Sequence, residues 1–251
     1  MDDGDASMAN AAGYTATTTI VTEESLYGLP DPVQRYLREI HLVGKETVAD
    51  ADAKQIGTLR DTVKQGWQRF TSKQNFKTDH ASFTRSLTLH NFLIFSVLNK
   101  DEFRESHGFR STSLLGFIPL ARKSGTEMDQ TELLLYLAET VWFPSFWLSN
   151  QVHWQMIDDT SARLTVRSGG VTASVLLHFG EEGKLKMTAD GYYSNGKKYG
   201  LEEWSAIATD YKDFDGVALP TKLEFSWDLE KGNFAYFRCE LADLKYNVSR
   251  A

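Results

Sequence analysis

The stretch ELLLYLAETVWFPSFWLSNQVHW, residues 132–154, places acid–base side chains among six aromatic rings. Tyr136 and Glu139 are three residues apart, so a helix puts them on one side, one turn apart. Glu139 lies near the C-terminal end of the helix, where the helix dipole disfavours a negative charge. A carboxylate at such a position among aromatic rings is expected to be paired with a cation or to have a raised pKa. Both residues are therefore candidate catalytic groups. The alternative is a solvated stripe along the helix.

His153 is the third candidate catalytic residue. It alternates with Gln151 and Gln155 on one face of a predicted strand. If that face looks into a cavity, the imidazole can exchange a proton near neutral pH. The alternative is a surface histidine beside two glutamines.

Glu132 has a structural interpretation instead. It follows Asp129 at the spacing of a capping box, in which the first side chain caps the helix and the second bonds back to it. We therefore expect Glu132 to cap the helix rather than to do chemistry.

Six aromatic residues form the candidate ligand-binding set, because aromatic and apolar side chains line most small-molecule pockets. They are Trp67, Trp142, Trp147, Trp154, Tyr211 and Trp227. The alternative is that these rings only fill the hydrophobic core.

The sequence lacks the common signatures of bound metals and nucleotides. The six histidines show no HExxH or similar ligand spacing, and there is no P-loop, GxGxxG or GxSxG motif. The single cysteine, Cys239, lies on the apolar face of a predicted strand and is expected to be a buried structural thiol. We predict that the protein uses no metal and no cofactor.

Composition excludes several classes of protein. The 251 residues are 41% hydrophobic, which is enough for a large core, and the net charge of −7 argues against a nucleic-acid partner.

No apolar run reaches the 18 residues that a membrane span needs. Residues 1–22 are acidic, small and polar, without the features of a secretory signal. We expect a disordered tail over 1–22, a single β-rich domain over 23–251, and a cytoplasmic protein.

Hydrophobic periodicity predicts two helices. LPDPVQRYLREIHLVG has Asp31 in an N-cap position and Gly44 in a terminating position. The second helix begins at Asp129 and ends or kinks at Pro144. Its apolar residues cover an arc of roughly 200°, which indicates burial on more than one side.

The remaining pattern predicts strands. Candidates before the second helix run from about residue 56 to 122, in VKQGWQRF, SFTRSLTLHNFLIFSVL, EFRESHGFRS and TSLLGFIPLA; regular alternation follows the helix. Short loops such as GEEG, DFDG and LEKGN favour antiparallel pairing of the strands that they connect. The predicted fold is mainly β (α+β): a large curved antiparallel sheet or open barrel wrapped around a central helix, with a lipocalin-like or lipoprotein-carrier-like cavity.

Three segments resemble an uncharacterised bacterial family, a domain of unknown function. They include LPDPVQRYL near the N-terminus, ELLLYLAETVWFP in the centre and DYKDFDGVALPTKLEFSWDLEKG near the C-terminus, and the resemblance covers roughly residues 28–247. It implies a cofactor-free β-rich domain and supplies no activity. The family-like central block contains Glu132, Tyr136, Glu139, Trp142, Pro144 and Trp154.

Three classes of function fit these features. The first is a cofactor-independent enzyme that binds a hydrophobic, polyketide- or terpenoid-like molecule and promotes cyclisation or isomerisation. The second is a non-catalytic carrier or sensor of a lipid-like ligand, and the third is a structural interaction module. We favour the enzyme narrowly over the carrier. The oligomeric state stays open, with a homodimer among the alternatives.

Overall fold

The computed structural model describes residues 18–90, 96–180, 184–196 and 198–248. Over these residues the chain forms thirteen strands, two α-helices and three short 3₁₀ turns. The helices are α1 (Asp31–Glu39) and α2 (Thr126–Glu139). The strands are β1 (Asp50–Leu59), β2 (Gln68–Lys77), β3 (Ser82–Leu89), β4 (Val97–Arg104), β5 (His107–Leu114), β6 (Ile118–Ser124), β7 (Val152–Asp158), β8 (Ser161–Ser168), β9 (Val171–Phe179), β10 (Leu185–Ser194), β11 (Tyr199–Phe214), β12 (Val217–Leu229) and β13 (Gly232–Tyr246).

All thirteen strands belong to one antiparallel sheet in the order β6-β5-β4-β3-β2-β1-β13-β12-β11-β10-β9-β8-β7. Strands that follow each other in the chain are neighbours, as short joints dictate. The exceptions are the central pairing of β1 with β13 and the two edges, β6 and β7, which α2 connects. The sheet curls around this helix as a half-barrel, which confirms the predicted fold.

Helix α2 is enclosed by the sheet. It packs against β9 and β10 on one side and against β4 and β5 on the other. Every residue from Glu132 to Val141 is buried, so the wide apolar arc correctly indicated burial on several sides. The predicted solvated stripe is wrong, because the sheet also covers the polar sector that contains Glu132 and Glu139.

Both helices differ at their ends from the prediction. Helix α2 begins at Thr126 after Gly125, whose φ is 112°, and not at Asp129. Helix α1 ends at Glu39, where His41 takes a left-handed conformation with φ of 60°; Gly44 has the expected positive φ, 87°, but lies beyond the end of the helix. The start of α2 is three residues earlier than predicted, and α1 ends before its predicted terminating glycine.

Strand β1 begins at Asp50, earlier than the predicted start of the strands near residue 56. Its inward face consists of Ala51, Ala53 and Gln55, all buried. Because these inward residues are small or polar, β1 lacks the alternation of apolar and polar residues on which the strand prediction depended. The short side chains also leave space above β1 for other parts of the core.

The first seventeen residues of the predicted tail lie outside the described residues. Ile20 forms an isolated bridge with Glu46, and Val21 is buried. The packed chain therefore begins before the predicted boundary at residue 23. None of the described helices is long and apolar enough to cross a membrane.

Candidate functional site

A cavity of about 450 Å³ lies on the concave side of the sheet, beside α2. Strands β3 to β6 form one wall, buried Phe225 and Phe237 contribute from β12 and β13, and the turn between β1 and β2 contributes exposed residues such as Asp61. The apolar lining is Leu59, Leu87, Leu89, Val97, Ala121, Leu135, Phe225 and Phe237. We call this cavity the concave pocket.

The inner wall of the concave pocket carries a buried ion pair. Arg85 on β3 donates through Nη2 to both carboxylate oxygens of Glu139 on α2, at 2.5 and 2.6 Å. Gln74 donates to Oε2 of the same carboxylate at 2.7 Å. Glu139 is completely buried and Arg85 is 5% exposed. Burial raises the pKa of Glu139, and the hydrogen bonds from Arg85 and Gln74 oppose that shift.

A second charged group continues the line along α2. Asp101 on β4 lies 3.7 Å from Nη1 of Arg85 and accepts a hydrogen bond of 2.9 Å from Nε of Arg110 on β5. Arg110 also donates to Oε1 of Glu132 at 2.8 Å. Five ionisable side chains, acidic and basic in alternation, thus run from Glu139 to Glu132. We call them the charge ladder.

Glu132, at one end of the charge ladder, has an incomplete set of hydrogen bonds. Its Oε2 is buried and has no hydrogen-bond partner among the described residues. Burial raises the pKa of Glu132 to about 8, with further upward contributions from Asp101 and Glu139, while Arg110 and Arg85 oppose the shift. The predicted capping role is wrong, because the helix begins six residues earlier and Glu132 faces Arg110.

Asp129, the other half of the predicted capping box, is also used differently. Its Oδ1 accepts a hydrogen bond of 2.7 Å from the backbone nitrogen of Gly108 on β5. The side chain therefore fixes the first turns of α2 to the sheet instead of capping the helix.

The predicted catalytic residues do not converge on one point. Glu139 is bound by Arg85 and Gln74, whereas the buried Tyr136 hydroxyl donates to the carbonyl of Lys77 at 2.8 Å. His153 is exposed on edge strand β7. None of the three lines the concave pocket as described. Their catalytic roles remain predictions.

The predicted aromatic set is dispersed through the molecule. Trp142 and Trp147 are buried, with indole nitrogens that donate to Pro220 O and Thr140 Oγ1. Trp154 is half-buried and donates to Trp147 O. The rings of Trp147 and Trp154 lie 5.8 Å apart, and the ring of Trp142 lies 6.5 Å from that of Phe76, so the structure gives these residues a packing role.

The other three aromatic residues occupy separate places. Arg60 and Arg238 stack on the ring of Trp67 at 4.5 Å, and the ring of Trp227 lies 5.5 Å from that of Tyr193. Tyr211 lines a cavity of about 300 Å³ beside α1, where its hydroxyl lies 3.2 Å from that of Tyr36. Of the six, only Tyr211 lines one of the cavities described for this chain.

Sequence reasoning missed Arg85, Asp101 and Arg110, which form most of the charge ladder. Arg85 stands between Phe83 and Leu87 on the inward face of β3, and the three alternate with exposed or half-buried neighbours. A charged residue on an apolar strand face was the available signal. It predicts a buried ion pair because an isolated charge is costly in a core.

Cys239 is buried, as predicted, and burial raises the pKa of its thiol. Among the described residues, no group of three or more His, Cys, Asp or Glu side chains is arranged to hold a metal ion.

A family model described as a family of unknown function, DUF6544, matches residues 19–239. A comparison with curated proteins finds no match. Among solved structures, a LolA superfamily protein from Nitrosomonas europaea is 13% identical, with a TM-score of 0.42 and coverage of 85% of this chain and 93% of that chain. A domain from Vibrio parahaemolyticus described as an outer membrane lipoprotein-sorting protein is 10% identical, with a TM-score of 0.39 and coverage of 81% and 87%.

Proposed function

The chain belongs to the DUF6544 family of unknown function, and we propose that it is a carrier that binds one hydrophobic or amphipathic small molecule in the concave pocket. The observation behind this proposal is the pocket itself. Its volume of about 450 Å³ lies within the usual range of about 300–1,000 Å³ for ligand sites. Apolar side chains from three different elements, such as Leu87, Leu135 and Phe237, line it.

The charged inner wall suits an amphipathic ligand. Arg85, Asp101 and Arg110 line the pocket at the point where the charge ladder reaches it. The Oδ1 atom of Asn99, also in the lining, is buried and has no partner among the described residues. A ligand with an apolar body and one polar group suits this lining. Its body packs on the apolar residues, and its polar group forms hydrogen bonds with the polar ones, since a buried polar atom is stabilised by a hydrogen bond.

A carrier fits this geometry better than the predicted cyclase or isomerase. Catalysis needs an acid or base within reach of a bound substrate. Glu139 is already bonded through both oxygens, Tyr136 bonds to a backbone carbonyl, and His153 lies on an exposed edge strand. A polyketide- or terpenoid-like molecule remains within the proposed class of ligand, as cargo.

Filling the pocket tests the proposal. Thr112 lines the concave pocket in the middle of β5, whereas its neighbour Ser111 lies on the opposite face of the strand. Thr112→Trp should weaken binding of anilinonaphthalene sulfonate or hexadecanoic acid by about tenfold or more, because the new ring occupies the ligand's volume. Fluorescence titration measures the dissociation constant.

Ser111→Trp is the matched control, because it adds the same ring to the outer face of the same strand. It should leave binding within about twofold of the parent protein. No saturable binding to the parent, or equal loss in both variants, would contradict the carrier and favour a structural interaction module.

A further inference from the structure

The mouth of the concave pocket lies at one end of the sheet. Strand pairing aligns Leu59 of β1 with Gln68 of β2, and Phe70 of β2 with Leu89 of β3. It also aligns Leu89 with Val97, Val97 with Leu114 and Leu114 with Ile118. The β1–β2 and β5–β6 turns therefore project from the same end. Residues from both hairpins, including Gln65 and Lys123, line the pocket.

Large apolar side chains are exposed in these two hairpins. Phe117 at the tip of the β5–β6 turn is 73% exposed, and Val63 in the β1–β2 turn is 65% exposed. Leu115, Ile118 and Leu120 are exposed in the same hairpin as Phe117. We call these five residues the apolar rim. An exposed apolar patch at the edge of a cavity marks an interaction surface.

The charge around the apolar rim is opposite to that of the whole molecule. From residue 111 to 125, which covers the β5–β6 turn and β6, the chain contains Arg122 and Lys123 and not one Asp or Glu, although the net charge of the protein is −7. Arg122 and Lys123 are exposed beside the rim. Lys64 and Asp61 are exposed in the β1–β2 turn.

From these features we propose that the open end of the pocket docks on an anionic lipid bilayer surface, with the apolar rim inserted among the lipid headgroups. Aromatic and aliphatic side chains at the headgroup level, flanked by Lys and Arg, are the usual composition of a membrane-surface site. The proposal extends the carrier function, because docking at this end opens the pocket toward the lipid. The docking itself depends only on the rim and its charges.

The same hairpin is poorly suited to pairing with a strand of another protein. Strand β6 is an edge, and Pro119 in it has no backbone N–H to donate. The register also shifts between Thr112 and Ser113, opposite the start of β6. A proline, a bulge and charged side chains on an edge strand are features that prevent strand addition. We therefore assign the rim to lipid rather than to a second chain.

Vesicle flotation tests the docking surface. The parent protein should float with vesicles of equal parts phosphatidylcholine and phosphatidylglycerol, and less with phosphatidylcholine alone. Phe117→Ser should weaken this binding about tenfold, since a large apolar side chain no longer leaves water. Arg122→Gln combined with Lys123→Gln should also weaken it about tenfold, and added salt should reduce the binding of the parent protein.

Tyr27→Ser is the matched control, because Tyr27 is 72% exposed and lies outside both hairpins. It should float like the parent protein. Failure of the parent to bind anionic vesicles, or equal loss in Tyr27→Ser and Phe117→Ser, would overturn the docking proposal. Self-association that Phe117→Ser abolishes, without vesicle binding, would assign the rim to a second copy and also overturn it.

Titration of the same variants with anilinonaphthalene sulfonate, without vesicles, separates the two proposals. Phe117→Ser should keep the parent's dissociation constant for the probe within about twofold, because Phe117 does not line the pocket. Probe binding without vesicle binding would contradict only the docking proposal. Vesicle binding without probe binding would contradict only the carrier proposal.

Discussion

At the scale of single residues, the charge ladder is the least expected feature of the core. Three carboxylates, Glu139, Asp101 and Glu132, alternate with two guanidiniums, Arg85 and Arg110. Buried charges are stable only when paired, and this set has one carboxylate in excess. A proton on Glu132 removes the excess, which agrees with its pKa of about 8.

The raised pKa of Glu132 predicts a specific dependence of stability on pH. The pKa is near 4.5 in the unfolded chain and about 8 in the folded protein, so the folded state holds the proton more tightly. Glu132 therefore favours folding most below pH 4.5, and this contribution is lost as pH rises toward 8. Because glutamine does not titrate, Glu132→Gln should gain stability relative to the parent between pH 5 and pH 9, by on the order of 1 kcal/mol.

Urea unfolding at pH 5, 7 and 9 measures this difference. Glu203→Gln, at an exposed position on β11, is the control and should follow the pH profile of the parent. If Glu132→Gln had the same dependence of stability on pH as the parent protein, Glu132 would stay charged at all three pH values. The third carboxylate of the charge ladder would then need another positively charged partner.

At the scale of elements, helix α2 and strand β5 approach each other closely at Gly108. A Cβ atom added at Gly108 would lie 2.4 Å from the carbonyl oxygen of Met128 and 2.9 Å from Cα of Asp129. Both are backbone atoms of the helix, so relief requires the helix to move. The absence of a side chain at Gly108 thus lets the backbone of α2 lie close to β5.

Gly108→Ala should destabilise the protein by about 1–3 kcal/mol, as overpacking against backbone does. Gly66→Ala is the control, since nothing lies within 4 Å of its added Cβ. It should change the stability by less than about 1 kcal/mol. Denaturant unfolding monitored by tryptophan fluorescence measures both values. A neutral Gly108→Ala would show that α2 can shift without cost.

The same elements show how far the sequence could predict the structure. The apolar arc of α2 and the alternation in β12 are local patterns, so the curved sheet around a helix was predictable. Arg85 and Glu139 are 54 positions apart in the chain, and their pairing depends on the curl of the sheet. The tryptophans were assigned to a pocket by composition alone, and composition does not distinguish a ring in a core from a ring in a cavity wall.

At the scale of the whole molecule, the chain order explains why a pocket exists. Helix α2 joins the two edges of the sheet, β6 and β7, so it must cross the concave side. The aromatic residues after the helix, including Phe143 and Phe146, pack with Phe76 and Tyr136 in the core. The concave pocket lies instead beside β3 to β6, where its apolar lining includes Leu135 from α2 and Leu87, Leu89 and Val97 from the sheet.

A crystal structure of the protein with a fatty acid that carries a terminal bromine atom tests the carrier most directly, because the anomalous signal locates the end of the chain. We predict one bromine peak inside the concave pocket, in contact with apolar residues such as Leu87, Leu89 and Val97, and loss of that peak in Thr112→Trp. A second cavity, of about 690 Å³, lies on the outer face of the sheet and is lined by residues such as Ile56, Thr71 and Lys222. A peak only in that outer cavity, or no peak at saturating ligand, would contradict a hydrophobic carrier that uses the concave pocket.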